Sequence, residues 1–266
     1  MCGIIGIASN KPVSINIINS LKKLEYRGYD SAGLATLSDN IINEKKCSGR
    51  VEELEKILFK SPSNGNIGIG HVRWATHGIP NVVNAHPHSS DQVSVVHNGI
   101  IDNARRLRNR LTERGIELKS ETDSEVLVHM ISIGIESGQK PLEAVRKTLT
   151  RITGTWGLCV LFKEYDMIVC ARNGSPLILG QGEGESFVSS DPHALTQHTQ
   201  NFFFLEDGDM AVITRDRIDI SRLEGGMSST SLTVIEDEWG EADMAGFPHY
   251  MLKEIHEHAE ALRRCI

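Results

Sequence analysis

Apolar residues along this 266-residue chain fall in short runs broken by Gly, Asn, Asp and Pro, with a few segments of helical period between them. The short runs predict strands at Cys2–Ala8, Ala32–Leu37, Ile67–Val72, Val93–His97, Gly157–Phe162, Met167–Ala171, Leu177–Leu179, Phe187–Ser189 and Met210–Ile213. Apolar positions three and four apart predict helices over Ile15–Glu25, Val51–Phe59, Arg105–Arg114, Ser124–Gly134 and Pro141–Ile152. The last opens on proline, which a first helical turn tolerates. Helices come early, and strands crowd together at hairpin-like spacing between Trp156 and Thr214. That order predicts an α+β fold of mostly antiparallel sheets packed against helices rather than a doubly wound parallel sheet. Gly225–Thr230 reads as a loop, Glu236–Asp243 as a polar linker and His249–Arg264 as a helix. The last helix runs to Cys265-Ile266 without a cap, as expected where a chain continues into a further domain.

Composition removes several function classes. A net charge of −7 argues against nucleic-acid and anionic-membrane surfaces. No apolar run reaches the roughly 18 residues a membrane-spanning helix needs, and no basic segment precedes the first apolar stretch, so no signal peptide is expected. Five cysteines, an odd number, are scattered without a C-x-x-C pair. This usage predicts a reducing, cytoplasmic location, with no disulfide framework and no zinc site.

The candidate chemistry begins at Cys2. Methionine aminopeptidases remove an initiator Met that precedes a small residue, leaving a thiol and a free α-amine on one residue. An α-amine has a pKa of about 7.7–8.0, so near neutrality it can take a proton from a thiol that is nucleophilic only as thiolate. Nucleophile and base on one residue is the logic of N-terminal nucleophile hydrolases. A buried first strand would account for Cys2 equally well on position alone.

Three further clusters stand at the ends of strand-like runs. His71-Val-Arg73-Trp74-Ala-Thr76-His77-Gly78 offers a guanidinium fork able to grip a carboxylate bidentately. His97-Asn98-Gly99 follows an alternating run. Asn-Gly there is the signature of a tight turn, and an Asn amide beside a Gly N–H also supplies the donors of an oxyanion hole. Ser120-Glu121-Thr122-Asp123-Ser124-Glu125 precedes a helix in a capping pattern, and Asp123 could face a ligand ammonium. A fourth segment, Leu24–Gly33, is charged and punctuated by glycine, with no role readable from spacing. His86-Pro87-His88 lacks the neighbours that would complete a metal site, and Gly180-Gln-Gly182-Glu-Gly184 reads as a hairpin turn, not a phosphate loop.

Taken in order, these segments resemble the glutaminase domain of class II glutamine amidotransferases. The likeness is nearest to the glutamine–fructose-6-phosphate aminotransferase branch. It is carried by Cys2-Gly-Ile, Tyr-Arg-Gly-Tyr-Asp-Ser-Ala-Gly at 26–33, Arg-Trp-Ala-Thr-His-Gly at 73–78, Asn-Ala-His-Pro-His at 84–88, His-Asn-Gly-Ile-Ile at 97–101 and Ser-Glu-Thr-Asp-Ser-Glu at 120–125. Gly174-Ser-Pro-Leu177 and Ser190-Asp191 extend it. The resemblance implies a four-layer αββα sandwich of two stacked antiparallel sheets. It places a glutaminase domain over 2–240 and a linker and helix over 241–266, leading toward a sugar-phosphate isomerase domain.

At matching positions the resemblance makes Cys2 the nucleophile with its own amine as base, and Asn98 and Gly99 the oxyanion hole. Arg73 and Asp123 partner the α-carboxylate and α-ammonium of glutamine, Thr76, His77 and Gly99 line the pocket, Arg27 and Gly28 form a loop near the nucleophile, and Trp74 gates ammonia. It implies L-glutamine as substrate and no cofactor or metal. Fructose 6-phosphate is reached only through a domain outside this chain, and the full-length enzyme is a homodimer. Glu257-His-Ala-Glu260 departs from the branch, where Gln-Pro is usual. Two rivals stand beside this reading: an amidophosphoribosyltransferase-type glutaminase, whose pattern has His-Arg-Gly and Arg-Tyr-Ser-Thr at the corresponding places, and an inactive glutamine-sensing domain.

Overall fold

In a computed structural model, residues 2–75, 78–235, 246–248 and 250–265 are described. The chain divides into two units, Met1–Glu236 and Asp237–Ile266. The first unit begins β1 (Gly3–Ser9), α1 (Ser14–Leu24), β2 (Ser31–Ser38), β3 (Ile41–Ser48), α2 (Val51–Lys60), β4 (Ile67–Arg73), β5 (His88–Ser89) and β6 (Val93–Ile101). Three helices follow, α3 (Ala104–Glu113), α4 (Glu125–Glu136) and α5 (Pro141–Leu149). The rest is β7 (Gly154–Phe162), β8 (Tyr165–Asn173), β9 (Ile178–Gln181), β10 (Glu185–Ser189), β11 (Asn201–Phe204), β12 (Asp209–Ile213), β13 (Ile218–Arg222) and β14 (Leu232–Val234). The second unit contains α6 (Tyr250–Cys265).

The strands form two antiparallel sheets, one of eight strands in the order β14-β11-β9-β10-β1-β4-β2-β3 and one of six in the order β13-β12-β8-β7-β6-β5. The sequence reads as near-continuous apolar runs because the inner strands are covered on both faces. Ile4 and Ala8 of β1 enter a core shared with Val96, Cys159 and Leu161 of the other sheet. Ile5 and Ile7, on the opposite face, pack under α1 and α2 against Ile17, Leu21 and Leu54. On β7 the alternation repeats: Leu158 and Val160 face Leu107, Val126 and Val145 of α3, α4 and α5. Three cores separate four layers, and the fold is the αββα sandwich.

All five helices predicted within the first unit form, with ends shifted by up to three residues. Strands β3, β5, β11, β13 and β14 were not expected, and β6 runs four residues past His97. Asn98-Gly99 is therefore not a turn; it lies in the ladder, opposite Gly157 and Trp156. The loop at Gly225–Thr230 and the hairpin turn at Gly182, whose N–H donates to Glu185 O at 2.8 Å, match expectation. The linker expected at Glu236–Asp243 lies outside the described residues, and the helix expected from His249 is α6. No helix among the described residues is long and apolar enough to cross a membrane.

Two buried carboxylates are held ionised by the groups around them, Glu125 locally and Asp191 in part by residues far away in sequence. Burial alone would raise the Glu125 pKa, but His129, whose Nε2 lies 3.5 Å away, and bonds from the Lys119 N–H and both the N–H and hydroxyl of Ser120 outweigh it and hold the group at about 2. Asp191 is likewise held at about 2, burial being offset by Arg27, Tyr26 and His193. Folded-state values below the ordinary 4.5 and 3.8 mean that both groups stabilise the fold fully above those values. That contribution is lost as pH falls from about 4.5 toward 2. The urea midpoint should drop steeply across this interval, and Glu125→Gln should flatten the drop while lowering the midpoint at pH 7.

Candidate active site

Cys2 stands just before β1, beside the end of β4, because Gly3 pairs with Val72 in antiparallel register. The Trp74 N–H donates to Cys2 Sγ at 3.2 Å, and the thiol in turn reaches Trp74 O at 3.6 Å. Burial pushes the thiol pKa up from its ordinary value, while the Trp74 N–H and the nearby Arg73 charge pull the other way. The strand end can come this close because Gly28 leaves room. A Cβ there would lie 2.6 Å from both Arg73 C and Trp74 N. Asp30 secures the same corner by accepting the Ala75 N–H at 2.8 Å, and its own N–H donates to Arg73 O at 3.0 Å.

The second sheet reaches the backbone of Cys2. Asn98 Nδ2 donates to Cys2 O at 3.0 Å, and Asn98 Oδ1 lies 3.0 Å from His71 Nε2. Gly99 follows with φ +133°, and a Cβ on it would sit 2.1 Å from Thr155 O, so no other residue fits. The strand therefore continues past Asn98 with a backbone conformation that only glycine adopts comfortably.

Arg73 is buried. Desolvation works against its charge, and Cys2, Asp30, Asp123 and Glu121 work for it. Asp123 accepts the Ile101 N–H at 2.7 Å, which fixes it where β6 ends. The capping pattern at 120–125 is not used as one: α4 has Ser124 at its N-cap with no side-chain cap bond. Instead the Ser124 hydroxyl pairs with His97 Nδ1 at 2.8 Å. Since His97 Nε2 meets the Thr155 carbonyl at 3.3 Å, its hydrogen is on Nε2 and Nδ1 accepts.

A reciprocal clamp joins the segment after Gly78 to the one carrying Asp123. Asn84 donates from Nδ2 to Ile79 O at 3.1 Å and to Glu121 Oε2 at 2.9 Å, and its Oδ1 accepts the Glu121 N–H at 2.9 Å. The Ile79 N–H adds a bond to Glu121 Oε2 at 3.3 Å.

Comparison with known proteins gives this geometry its context. Residues 78–197 match the family profile described as a glutamine amidotransferase domain. The chain is 44% identical over 263 residues, 98% of its length, to a glutamine–fructose-6-phosphate aminotransferase (isomerizing) of Mesorhizobium japonicum. It is likewise 44% identical over 266 residues to the protein of that name from Clostridium acetobutylicum. The chain belongs to the class II glutamine amidotransferases. It spans 43% of the length of each of these two relatives. Among solved structures, a glutamine phosphoribosylpyrophosphate amidotransferase from B. subtilis superposes with a TM-score of 0.73 at 24% identity, over 84% of this chain and 49% of that one. A class-II glutamine aminotransferase domain protein from Silicibacter pomeroyi does so with 0.59 at 16% identity, over 84% of this chain and 99% of that one. Those likenesses concern the fold.

Within this amidotransferase domain the structure gathers Cys2, Arg73, Trp74, Asn98, Gly99, Asp123 and the Gly28 backbone around one corner of the sandwich. Trp74 is 40% exposed there, edge-on to Tyr29 at 5.8 Å. Thr76 and His77 lie outside the described residues. Arg27 differs from expectation in one respect: its loop reaches the corner, but its guanidinium turns to Asp191 and the Tyr26 hydroxyl. The Tyr26 hydroxyl donates to the same carboxylate at 2.6 Å. Sequence reading assigned no role to Asp30, His71, Asn84, Glu121 or Asp191. Each lies inside or beside a quoted motif, and that placement was the signal available.

Proposed function

We propose that this chain hydrolyses the side-chain amide of L-glutamine to glutamate and ammonia through a thioester on Cys2. The observation that carries this is the Asn98 amide, anchored 3.0 Å from Cys2 O by a hydrogen of Nδ2. A donor held on the backbone of Cys2 supports the reading of Asn98 as the group that meets the charge growing on an amide oxygen. The names of the curated relatives support the substrate.

In this reading Met1 is removed and the freed α-amine takes the thiol proton. The thiolate adds to the amide carbon, and the carbonyl oxygen takes the charge and is held by Asn98 Nδ2–H and the Gly99 N–H. Collapse breaks the C–N bond; the α-ammonium returns its proton to the leaving nitrogen, and ammonia departs. Water then adds to the γ-glutamyl thioester, the amine again taking a proton, and glutamate leaves with Cys2 regenerated. Arg73 grips the substrate carboxylate, Asp123 its ammonium, and Thr76 and His77 line the pocket. Trp74, at the rim, gates the exit of ammonia. We further assign to the full-length protein the delivery of ammonia to fructose 6-phosphate, the acceptor in the relatives' name, by parts this chain does not span.

The test is intact mass after incubation with a γ-electrophilic glutamine analogue, followed by peptide mapping. One adduct on Cys2 of a chain lacking Met1 is the expected result. A retained Met1 with labelling spread over Cys47 and Cys265 would overturn it. The clamp gives a second check. Asn84→Ala should raise the KM for glutamine about 10-fold, the equivalent of ~1.4 kcal/mol for a lost buried hydrogen-bond pair, with kcat nearly unchanged.

A further inference from the structure

We propose that His71 is the positioning residue of this oxyanion hole: carrying its hydrogen on Nε2, it fixes the rotation of the Asn98 amide so that the donor end faces the nucleophile. The inference rests on Asn98 acting as the oxyanion donor. It concerns a side chain that reaches the site through its contact with Asn98.

The two ends of a carboxamide are nearly equal in size, so packing alone does not choose which one faces Cys2. Hydrogen bonding does. The Cys2 carbonyl offers only lone pairs, so the group 3.0 Å from it must be Nδ2. One Nδ2 hydrogen is held there, leaving the second for a substrate oxygen. Asn98 Oδ1 then points at His71 Nε2, 3.0 Å away, and that contact is a hydrogen bond only when Nε2 carries the hydrogen. A half-turn of the amide would set Nδ2–H against Nε2–H. It would also bring Oδ1 against the Cys2 carbonyl and the developing oxyanion. With the Nε2–H form in place, the unproductive rotamer is opposed from both ends.

The surroundings keep His71 in one protonation state. It is 1% exposed, in β4 between Ile4 and Gly33 of the neighbouring strands. The His86 ring stacks on it at 4.3 Å, and His88 meets His86 edge-on at 4.6 Å. Burial, reinforced by the Arg73 charge, lowers His71 to about 3, and His86 and His88 are lowered likewise. None of the three rings takes up a proton near neutrality, so His71 contributes a fixed tautomer rather than a titrating charge. The His-Pro-His segment, which sequence reading left without a role, supplies two of the three plates.

Two measurements test this. In the free protein labelled with ¹⁵N at histidine, the His71 resonances should show the hydrogen on Nε2. A hydrogen on Nδ1 overturns the proposal, whether or not the protein turns over glutamine. Kinetics read the consequence. His71→Leu should lower kcat for glutamine hydrolysis ~10- to 100-fold, less than the ~10²–10³-fold expected for losing the donor itself, with KM unchanged. His71→Gln, whose amide N–H reaches the same point, should recover most of that loss. In an Asn98→Ala background His71→Leu should change kcat by less than ~2-fold, since the two act as one unit. An equal loss in both backgrounds, or a rise in KM in place of the fall in kcat, would make His71 a structural residue only. Wild-type activity is measured alongside, so a failed glutaminase reading is distinguished from a failed positioning role.

Discussion

Cys2→Ala should abolish glutamine hydrolysis, by a factor on the order of 10⁶ where a sole nucleophile is removed, and leave the fold as it is. Among the described residues the thiol hydrogen-bonds to the Trp74 backbone, and the strand that follows is held by its ladders to β4 and β10, which begin after residue 2. Alanine also permits removal of Met1, so the variant keeps the α-amine and loses only sulfur. Glutamate and ammonia release should fall by that factor, while the thermal unfolding midpoint stays where it was. Persistent wild-type turnover would remove Cys2 from the chemistry and with it the role of the amine.

The second large effect is expected at Asn98. Asn98→Ala should lower kcat by ~10²–10³-fold with little change in KM, because the donor is strained for only when charge builds on the amide oxygen. Asn98→Asp is the sharper variant. It preserves shape and the acceptor toward His71, but presents a carboxylate oxygen to the Cys2 carbonyl and to the forming oxyanion, so it should fall below the alanine variant. A kcat for Asn98→Ala within a few fold of wild type would assign oxyanion stabilisation to backbone donors alone.

Much of the site was legible because its chemistry is concentrated near element ends: Cys2, Arg73 and Asp123 stand within two residues of a strand or helix terminus, and Asn98 three residues before the end of β6. The helices were legible because their apolar stripes face a single layer. What escaped was set by tertiary choice. β3 carries Asn43-Glu44-Lys45-Lys46 through its middle, a charged sequence suited to the sheet edge it forms. The signal for it lay in the turn, since Asp39 and Asn40 both have positive φ, at 52° and 56°, as a two-residue hairpin requires. Asn98-Gly99 misled in the opposite sense: a turn dipeptide by composition, it is ladder in the fold, with glycine needed for the approach of Thr155. The pairing of Arg27 with Asp191, 164 residues away, has no local signature at all.

Cys2, the proposed nucleophile, precedes a strand of the eight-stranded sheet, and the Asn98 amide bonded to its carbonyl belongs to the six-stranded one. Neither layer holds a working centre by itself; the reactive geometry exists only in the registration of one against the other. Turnover is thus a caliper laid across the central core. A shear between the layers too small to expose the interior would open the jaws of that caliper and silence the enzyme while every strand remained in place.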